Sequence, residues 1–422
     1  MAVRDTGRGR ARAVTVDFSL TPEQLELRSR AEAFVQQEVL PVETATGAEE
    51  WEEALPALRE RGKAVGLWNP HLPAAYGGLG LGPMSLALLQ EVCGASVLAS
   101  LAINCMAPDE GTAALLLEHG TEAQRERYLR PLAEARARSC FAMTERDVAG
   151  SDPTTIRTRA VRDGDDWVIN GEKWFASGAA GAAFALVVAL TDPEAAPHER
   201  HSIFLVDADL AGWRVVREIP VMGTHLPGGH AEVQLEGVRV GPEAVLGEPG
   251  KGFALAQSRL GVGRLGHAMR WIGLAQRALD LAAAHVRSRE AFGSALSEHE
   301  AVRFQLADSA TQLYAARLMV LHAAWLLEKG RDARTEVAHV KVFVSEALGE
   351  IVDRVLQLHG SHGYADDLPI ARWYRDVRAA RIYDGPSEVH RVAIARSLLR
   401  LSEREGTTRR AAGWIGPVPS SE

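Results

Sequence analysis

Asp166-Trp167-Val168-Ile169-Asn170-Gly171-Glu172-Lys173-Trp174-Phe175 is the stretch in which the chain changes its hydrophobic period. Apolar residues at helical spacing give way to short runs rich in Val, Ile and Trp, the signature of strands. Asn-Gly between two such runs is the strongest short hairpin signal, because both residues tolerate the positive φ angles of a tight turn. Working outward, Phe184 to Leu190, Ser202 to Val206, Trp213 to Ile219 and His230 to Leu235 read as further strands. Several short strands joined by turns predict a small antiparallel barrel or sandwich over residues 139–250.

Both flanks of this block read as helical. On the N-terminal side, Thr21-Pro22-Glu23-Gln24 combines an N-cap threonine, a proline at the first helical position and a glutamine that closes a capping box. Leu25, Leu27, Ala31, Phe34 and Val35 follow at roughly helical spacing, and Pro41 is expected to stop the run. Thr121-Glu122-Ala123-Gln124 repeats the capping signature. Between them, Tyr76-Gly77-Gly78-Leu79-Gly80-Leu81-Gly82 lacks the GKS/T ending of a phosphate loop and reads as a structural turn. On the C-terminal side, Phe253 to Val286, His299 to Lys329 and Thr335 to His359 have the lengths of an antiparallel four-helix bundle. The fold class is therefore α+β. The expected units are a disordered tail over 1–16, an all-α domain over 17–138, the β domain over 139–250, the bundle over 251–404 and a loose tail over 405–422.

The 422 residues are 46% hydrophobic, enough core for two or three domains. There are 55 acidic against 47 basic residues, for a net charge of -8, which argues against a nucleic-acid partner. Lys63, Lys173, Lys251, Lys329 and Lys341 are the only lysines; the other 42 of the 47 basic residues are arginines, as codon bias in a GC-rich genome produces. Cys93, Cys105 and Cys140 have no metal-type spacing, and so sparse a set fits a reducing cytoplasm with no metal centre. No apolar run approaches the ~20 residues that span a bilayer. No HExxH, CxxC or GxSxG occurs, and no GxGxxG opens a helix after a strand. Gly261-Val262-Gly263-Arg264-Leu265-Gly266 looks similar to that last motif but lies inside a helical run.

What remains is a set of separated segments. Phe141-Ala142-Met143-Thr144-Glu145, closing on Gly150-Ser151-Asp152, resembles the acyl-CoA dehydrogenase signature at the start of that family's β domain. Asn170-Gly171-Glu172-Lys173-Trp174 resembles the family's next segment. Arg289-Glu290-Ala291-Phe292-Gly293, Gln357-Leu358-His359-Gly360 and Arg381-Ile382-Tyr383-Asp384-Gly385 follow in the family's order. Five motifs in order over nearly the whole chain carry far more weight than any one of them.

The resemblance implies the acyl-CoA dehydrogenase fold, FAD as cofactor and roles for particular residues. Phe141, Met143, Thr144 and Ser177 would line the flavin, with Thr144 hydrogen-bonding the ring and Trp174 packed on it. Arg289 and Phe292, with Gln357, Gly360 and Ser361, would hold the diphosphate and adenine across a subunit interface. That interface implies a homodimer or homotetramer. Ser151 would sit near the pantetheine arm and Arg264 near the acyl-carrier mouth, with Tyr383 and Gly385 beside the substrate. Asp384 would be the base that removes the α-proton while hydride leaves the β-carbon for flavin N5. The substrate would be acyl-CoA or an acyl-carrier thioester, and electron-transfer flavoprotein the acceptor.

Several positions depart from the common pattern. The loop from Thr144 to Ser151 is one residue longer. Ala176 stands where many members have Thr or Ser, and Pro386 replaces a usual Thr. Asp384 stands where most members have Glu, and Gly263 leaves the alternative base position without a carboxylate. Asp384-Gly385-Pro386-Ser387-Glu388-Val389-His390, with Gly228-Gly229-His230 upstream, is similar to a branch whose animal members are fused to kinase-like domains; no such fusion is expected here. Nitroalkane oxidase resembles this family too and also uses an Asp base, so a flavoprotein oxidase is the first alternative. A non-catalytic acyl-binding protein is the second. The bland readings of Asp384 are a cap for the helix near Ser387 or an ion pair with Arg391.

Overall fold

The computed structural model describes residues 18–45, 50–222, 229–406 and 408. The expected tail over 1–16, nearly all of that over 405–422, and Gly228 lie outside the described residues. Eight helices come first: α1 (Pro22–Phe34), α2 (Leu40–Ala45), α3 (Trp51–Ala64), α4 (Pro83–Cys93), α5 (Val97–Ala102), α6 (Asp109–His119), α7 (Glu122–Gln124) and α8 (Arg130–Ala133). Thr21 and Thr121 close the two capping boxes as read from the sequence. Pro41 does not end the first run. A π-turn over Val35–Val39 links α1 to α2, and the looser bonding there accommodates a residue that has no N–H. The glycine-rich segment is a structural turn: a Cβ on Gly78 would lie 2.0 Å from the Leu72 carbonyl oxygen.

The β domain is one eight-stranded sheet: β1 (Ser139–Ala142), β2 (Arg159–Asp163), β3 (Asp166–Ser177), β4 (Phe184–Leu190), β5 (His201–Asp207), β6 (Trp213–Glu218), β7 (His230–Val240) and β8 (Val245–Leu246). The order is β6-β7-β3-β1-β4-β5-β8, with β2 against β3 and β4. Pairings are antiparallel except β1 with β4 and one bridge of β2 with β4. Asn170-Gly171 is not a hairpin. β3 runs straight through it, the reversal between β2 and β3 lies at Gly164-Asp165, and Asn170-Gly171 marks a bulge against β7. Asn170 Oδ1 accepts from the Gly237 N–H at 2.7 Å, and Gly171, at φ +151°, has room only for hydrogen because Thr158 would lie 2.5–2.8 Å from a Cβ. Asn-Gly here serves a strand crossing that needs a bare backbone.

The C-terminal domain consists of α9 (Gly252–Ser288), a small hairpin β9 (Glu290–Ala291) and β10 (Ser294–Ala295), α10 (Glu300–Glu328), α11 (Arg334–His359), α12 (Ser361–Tyr364), α13 (Ile370–Val377) and α14 (Ser387–Glu405). α9, α10 and α11 pack on one another, α14 lies on α11, and α4 of the first domain packs against α9 and α10. One apolar core accordingly joins Met84, Ala87 and Leu88 of α4 to Met269, Ile272, Val320, Val344 and Ile351. Gly94 and Gly273 permit this approach: a Cβ on Gly273 would meet the Glu91 carbonyl oxygen at 2.0 Å.

Candidate active site

Asp384 sits in the turn before α14 with φ +55°, and Gly385 follows at +89°. Two donors clamp its carbonyl oxygen, Arg264 Nε at 2.8 Å and His390 Nε2 at 3.2 Å. Its own N–H finds no backbone acceptor among the described residues. The carboxylate is directed at α9, where His267 Nε2 stands 3.2 Å from Oδ2. Neither bland reading holds. Pro386 is the N-cap of α14, with no side-chain cap, and Arg391 pairs with Glu346 at 2.7 Å. Burial pushes the His267 and His390 imidazoles down to about 4, so both rings are neutral near pH 7. Tyr383 closes one side: its hydroxyl accepts from Trp271 Nε1 at 3.0 Å and its ring lies 5.3 Å from that of His267. Lys341 is fully buried behind the turn and donates to the Ala380 carbonyl at 2.6 Å; burial lowers its ammonium to about 8.

A second group lies on β1 and β3. Phe141 and Ser177 are paired across the two strands. Thr144 and Trp174 are bonded both ways, through Trp174 N–H to the Thr144 carbonyl and Thr144 Oγ1 to the Trp174 carbonyl. The half-buried Trp174 indole has the Arg146 guanidinium 4.3 Å and that of Arg217 5.2 Å from its ring centre. Lys173 anchors this corner from beneath, donating to the Met143 carbonyl at 2.9 Å and to Glu145 at 3.0 Å. Glu145 also accepts from the Arg157 and Thr158 N–H groups. Ser177 Oγ is 2.8 Å from His230 Nδ1. Arg259 connects this group to the first: it lies on α9 five residues before Arg264, with its guanidinium 4.2 Å from the Phe141 ring.

A third group occupies the far ends of α9 and α11, which meet through stacked His285 and His359 rings 4.3 Å apart. Arg289, Gln357, Gly360 and Ser361 are all exposed there, and Phe292 is 100% exposed. Among the described residues the Arg289 guanidinium has no ion-pair partner, so a cation and exposed polar side chains stand uncommitted together. That donor set fits a diphosphate. Ser151 is exposed in the turn after Gly150, and Asp152 caps the short turn Pro153–Thr155 by accepting from the Thr154 N–H and hydroxyl. The three thiols are buried and free; burial raises all three, that of Cys93 to about 12. Among the described residues no group of His, Cys, Asp and Glu could hold a metal ion, and no helix is long and apolar enough to cross a membrane.

Three descriptions of known domains match the chain in order. They are "Acyl-CoA dehydrogenase, N-terminal domain" over residues 21–136, the middle domain over 140–238 and the C-terminal domain over 250–399. The chain belongs to the acyl-CoA dehydrogenase family. It is 40% identical over 412 residues to the probable acyl-CoA dehydrogenase FadE2 of Mycobacterium tuberculosis, covering 94% of this chain and all of that one. Mouse acyl-CoA dehydrogenase family member 10 is 39% identical over 91% of this chain, which spans only 38% of that protein. The structure of a putative acyl-CoA dehydrogenase from Mycobacterium abscessus superposes with a TM-score of 0.87 at 39% identity, covering 92% of this chain and all of that one. The chain is thus an oxidoreductase of the acyl-CoA dehydrogenase type, with the fold of that family.

Four polar residues at this acyl-CoA dehydrogenase site were not singled out by the sequence: His267, Arg270, Glu110 and Gln90. Arg270 Nη2 donates to His267 Nδ1 at 3.1 Å, and Arg270 Nη1 reaches Glu110 Oε2 at 3.3 Å and Gln90 Oε1. Gln90 Nε2 donates to Glu110 Oε1 at 3.0 Å. Arg264, His267 and Arg270 recur every third residue on one face of α9. That polar stripe inside an apolar helical run was the available signal.

Proposed function

We propose that this chain is an FAD-dependent dehydrogenase of acyl thioesters in which Asp384 is the base. The observation that carries the reading is the Asp384 turn: a carboxylate fixed on a clamped backbone, beside an N–H with no backbone acceptor among the described residues. FAD, when bound, supplies the hydride acceptor. Thr144, Trp174 and Ser177 would hold its ring, and Arg289, Gln357, Gly360 and Ser361 its diphosphate and adenine, with Phe141 and Met143 lining the ring pocket.

The chain's own part follows from its chemistry. The α-proton of a thioester is weakly acidic, so its removal needs a donor where enolate charge develops. The Asp384 N–H suits that donor, and the Asp384 carboxylate takes the proton. Arg264 and His390 would keep the turn from relaxing as charge moves. Tyr383 and Gly385 would border the acyl group, and Ser151 the pantetheine arm. The complete exposure of Phe292 beside Arg289 supports cofactor binding shared between subunits of a homodimer or homotetramer. Electron-transfer flavoprotein would be the acceptor and the cytoplasm, where three free buried thiols stay reduced, the compartment.

The test has two steps. Denaturing the purified protein should release FAD, about one per chain. Asp384→Asn should keep that FAD but lose anaerobic flavin reduction by acyl-CoA by ~10²–10⁴-fold or more, the usual worth of a general base. A colourless protein, or near-normal reduction by the variant, would overturn the reading.

A further inference from the structure

We propose that His267 is the positioning donor of the base, its Nε2–H holding Asp384 Oδ2, with Arg270 fixing the imidazole in the one neutral tautomer able to do so. The inference rests on the reading of Asp384 as the base.

The tautomer follows from donor inventory. A guanidinium has N–H donors and no acceptor. The contact from Arg270 Nη2 to His267 Nδ1 at 3.1 Å therefore makes Nδ1 the acceptor. In a neutral imidazole the ring proton must then reside on Nε2, the atom 3.2 Å from Asp384 Oδ2. That separation lies within the range of a donated hydrogen bond. The ring is kept neutral by burial first and then by Arg270, with Arg259 adding to both; Asp384 and Glu110 oppose them and lose, and the outcome is about 4. Arg259, Arg264 and Lys341 are the cations that face Asp384.

Arg270 is itself immobilised. Its guanidinium is shared between Glu110 and Gln90, which are bonded to each other, and all three side chains are buried. The imidazole is flanked by Trp271, 6.0 Å away and nearly parallel, and by Tyr383 at 5.3 Å, and those two are bonded to each other. Nothing in this assembly lets the ring flip without stranding a buried charge.

The consequence is an oriented carboxylate. Holding Oδ2 leaves Oδ1 to receive the proton and removes the rotational freedom that a short side chain on a turn would otherwise keep. His267 does not relay the proton onward, since its far nitrogen faces a guanidinium that cannot accept one. It acts through Asp384 and is a positioning residue.

The test compares His267→Leu, which removes the donor, with His267→Gln, whose amide nitrogen can replace Nε2–H. Each holoenzyme is reduced anaerobically by butyryl-, octanoyl- and palmitoyl-CoA across a range of pH. His267→Leu should be slower by roughly 10–100-fold, part of the ~10²–10⁴ that a general base is worth, with little change in substrate dissociation constant. His267→Gln should recover most of the rate. If His267→Leu does not fold, His267→Asn, too short to reach Oδ2, must show the same slowing. In parallel, nitrogen-15 histidine spectra of the wild type should show a neutral His267 protonated on Nε2 at neutral pH. That measurement needs no substrate, and a ring protonated on Nδ1, or on both nitrogens, would overturn the proposal. So would unaltered rates in His267→Leu, or equal slowing in His267→Leu and His267→Gln. Asp384→Asn separates the two failures. If it reduces normally, the base reading is wrong; if it is inactive while His267→Leu is normal, only the present inference is.

Discussion

Asp384 combines two properties that belong together. A left-handed backbone costs most side chains about 1–2 kcal/mol, and Asp is among the few that visit it routinely. A short carboxylate on a turn that costs little can be brought to substrate by the backbone, where a longer one would be brought by its own rotamers. Asp384 and Arg264 were legible because they sit in or near a motif. His267 was not, because a single His in an apolar helical run is ordinarily a core residue; only the three-residue spacing from Arg264 to Arg270 set it apart. Arg289 offers the opposite case, a residue named by motif whose proposed partner, the cofactor, lies outside the chain. Since it is exposed and makes no ion pair among the described residues, Arg289→Ala should leave the thermal transition within about 0.5 kcal/mol of wild type. FAD content should fall, measured by flavin absorbance after gel filtration. Retention of full FAD would remove Arg289 from the cofactor site.

At the level of elements, the β1–β3 corner shows how a motif can be read correctly in type and wrongly in geometry. Asn170-Gly171 carries the chemistry of a turn, yet the strand passes through, because Thr158 and the Gly237 N–H demand a bare backbone and a side-chain acceptor there. Local sequence cannot reveal a partner 67 residues away. Lys173 and Glu145 belong to the same corner. Both are buried, and their pair at 3.0 Å holds the Met143–Glu145 segment under Trp174. Lys173→Met would leave Glu145 buried without its cation, a change commonly worth about 3–5 kcal/mol. The expected result is a lowered midpoint in urea, with flavin content lost in parallel. Restoring neutrality with Glu145→Gln in the same chain should recover part of the loss. A double variant no more stable than Lys173→Met would show that the pair is not what holds the corner.

Across the whole molecule, buried histidines contribute to the acid limit. The folded chain binds a proton on His267 or His390 only near pH 4, whereas the unfolded chain binds one near 6.5. Between those values the unfolded state holds more protons, so stability falls as pH drops through the window and is indifferent to these rings above it. The slope contributed is at most about 1.4 kcal/mol per pH unit for each ring. Urea midpoints between pH 7 and 4.5 should trace that decline, and His390→Gln should flatten it. A flat wild-type curve would mean that neither ring is neutral by burial. The α–β–α order was legible from periodicity alone, but the dependence of one domain on another was not. Arg270 belongs to the C-terminal helices, while the groups that hold it, the counter-ion Glu110 and the amide of Gln90, belong to the first domain, 160 and 180 residues earlier. Cut from its N-terminal partner, the bundle would carry a stranded guanidinium and a bared apolar face where α4 had lain. The thermodynamic unit is therefore larger than the C-terminal domain. During synthesis, too, Arg270 emerges onto a counter-ion, Glu110, made 160 residues before it.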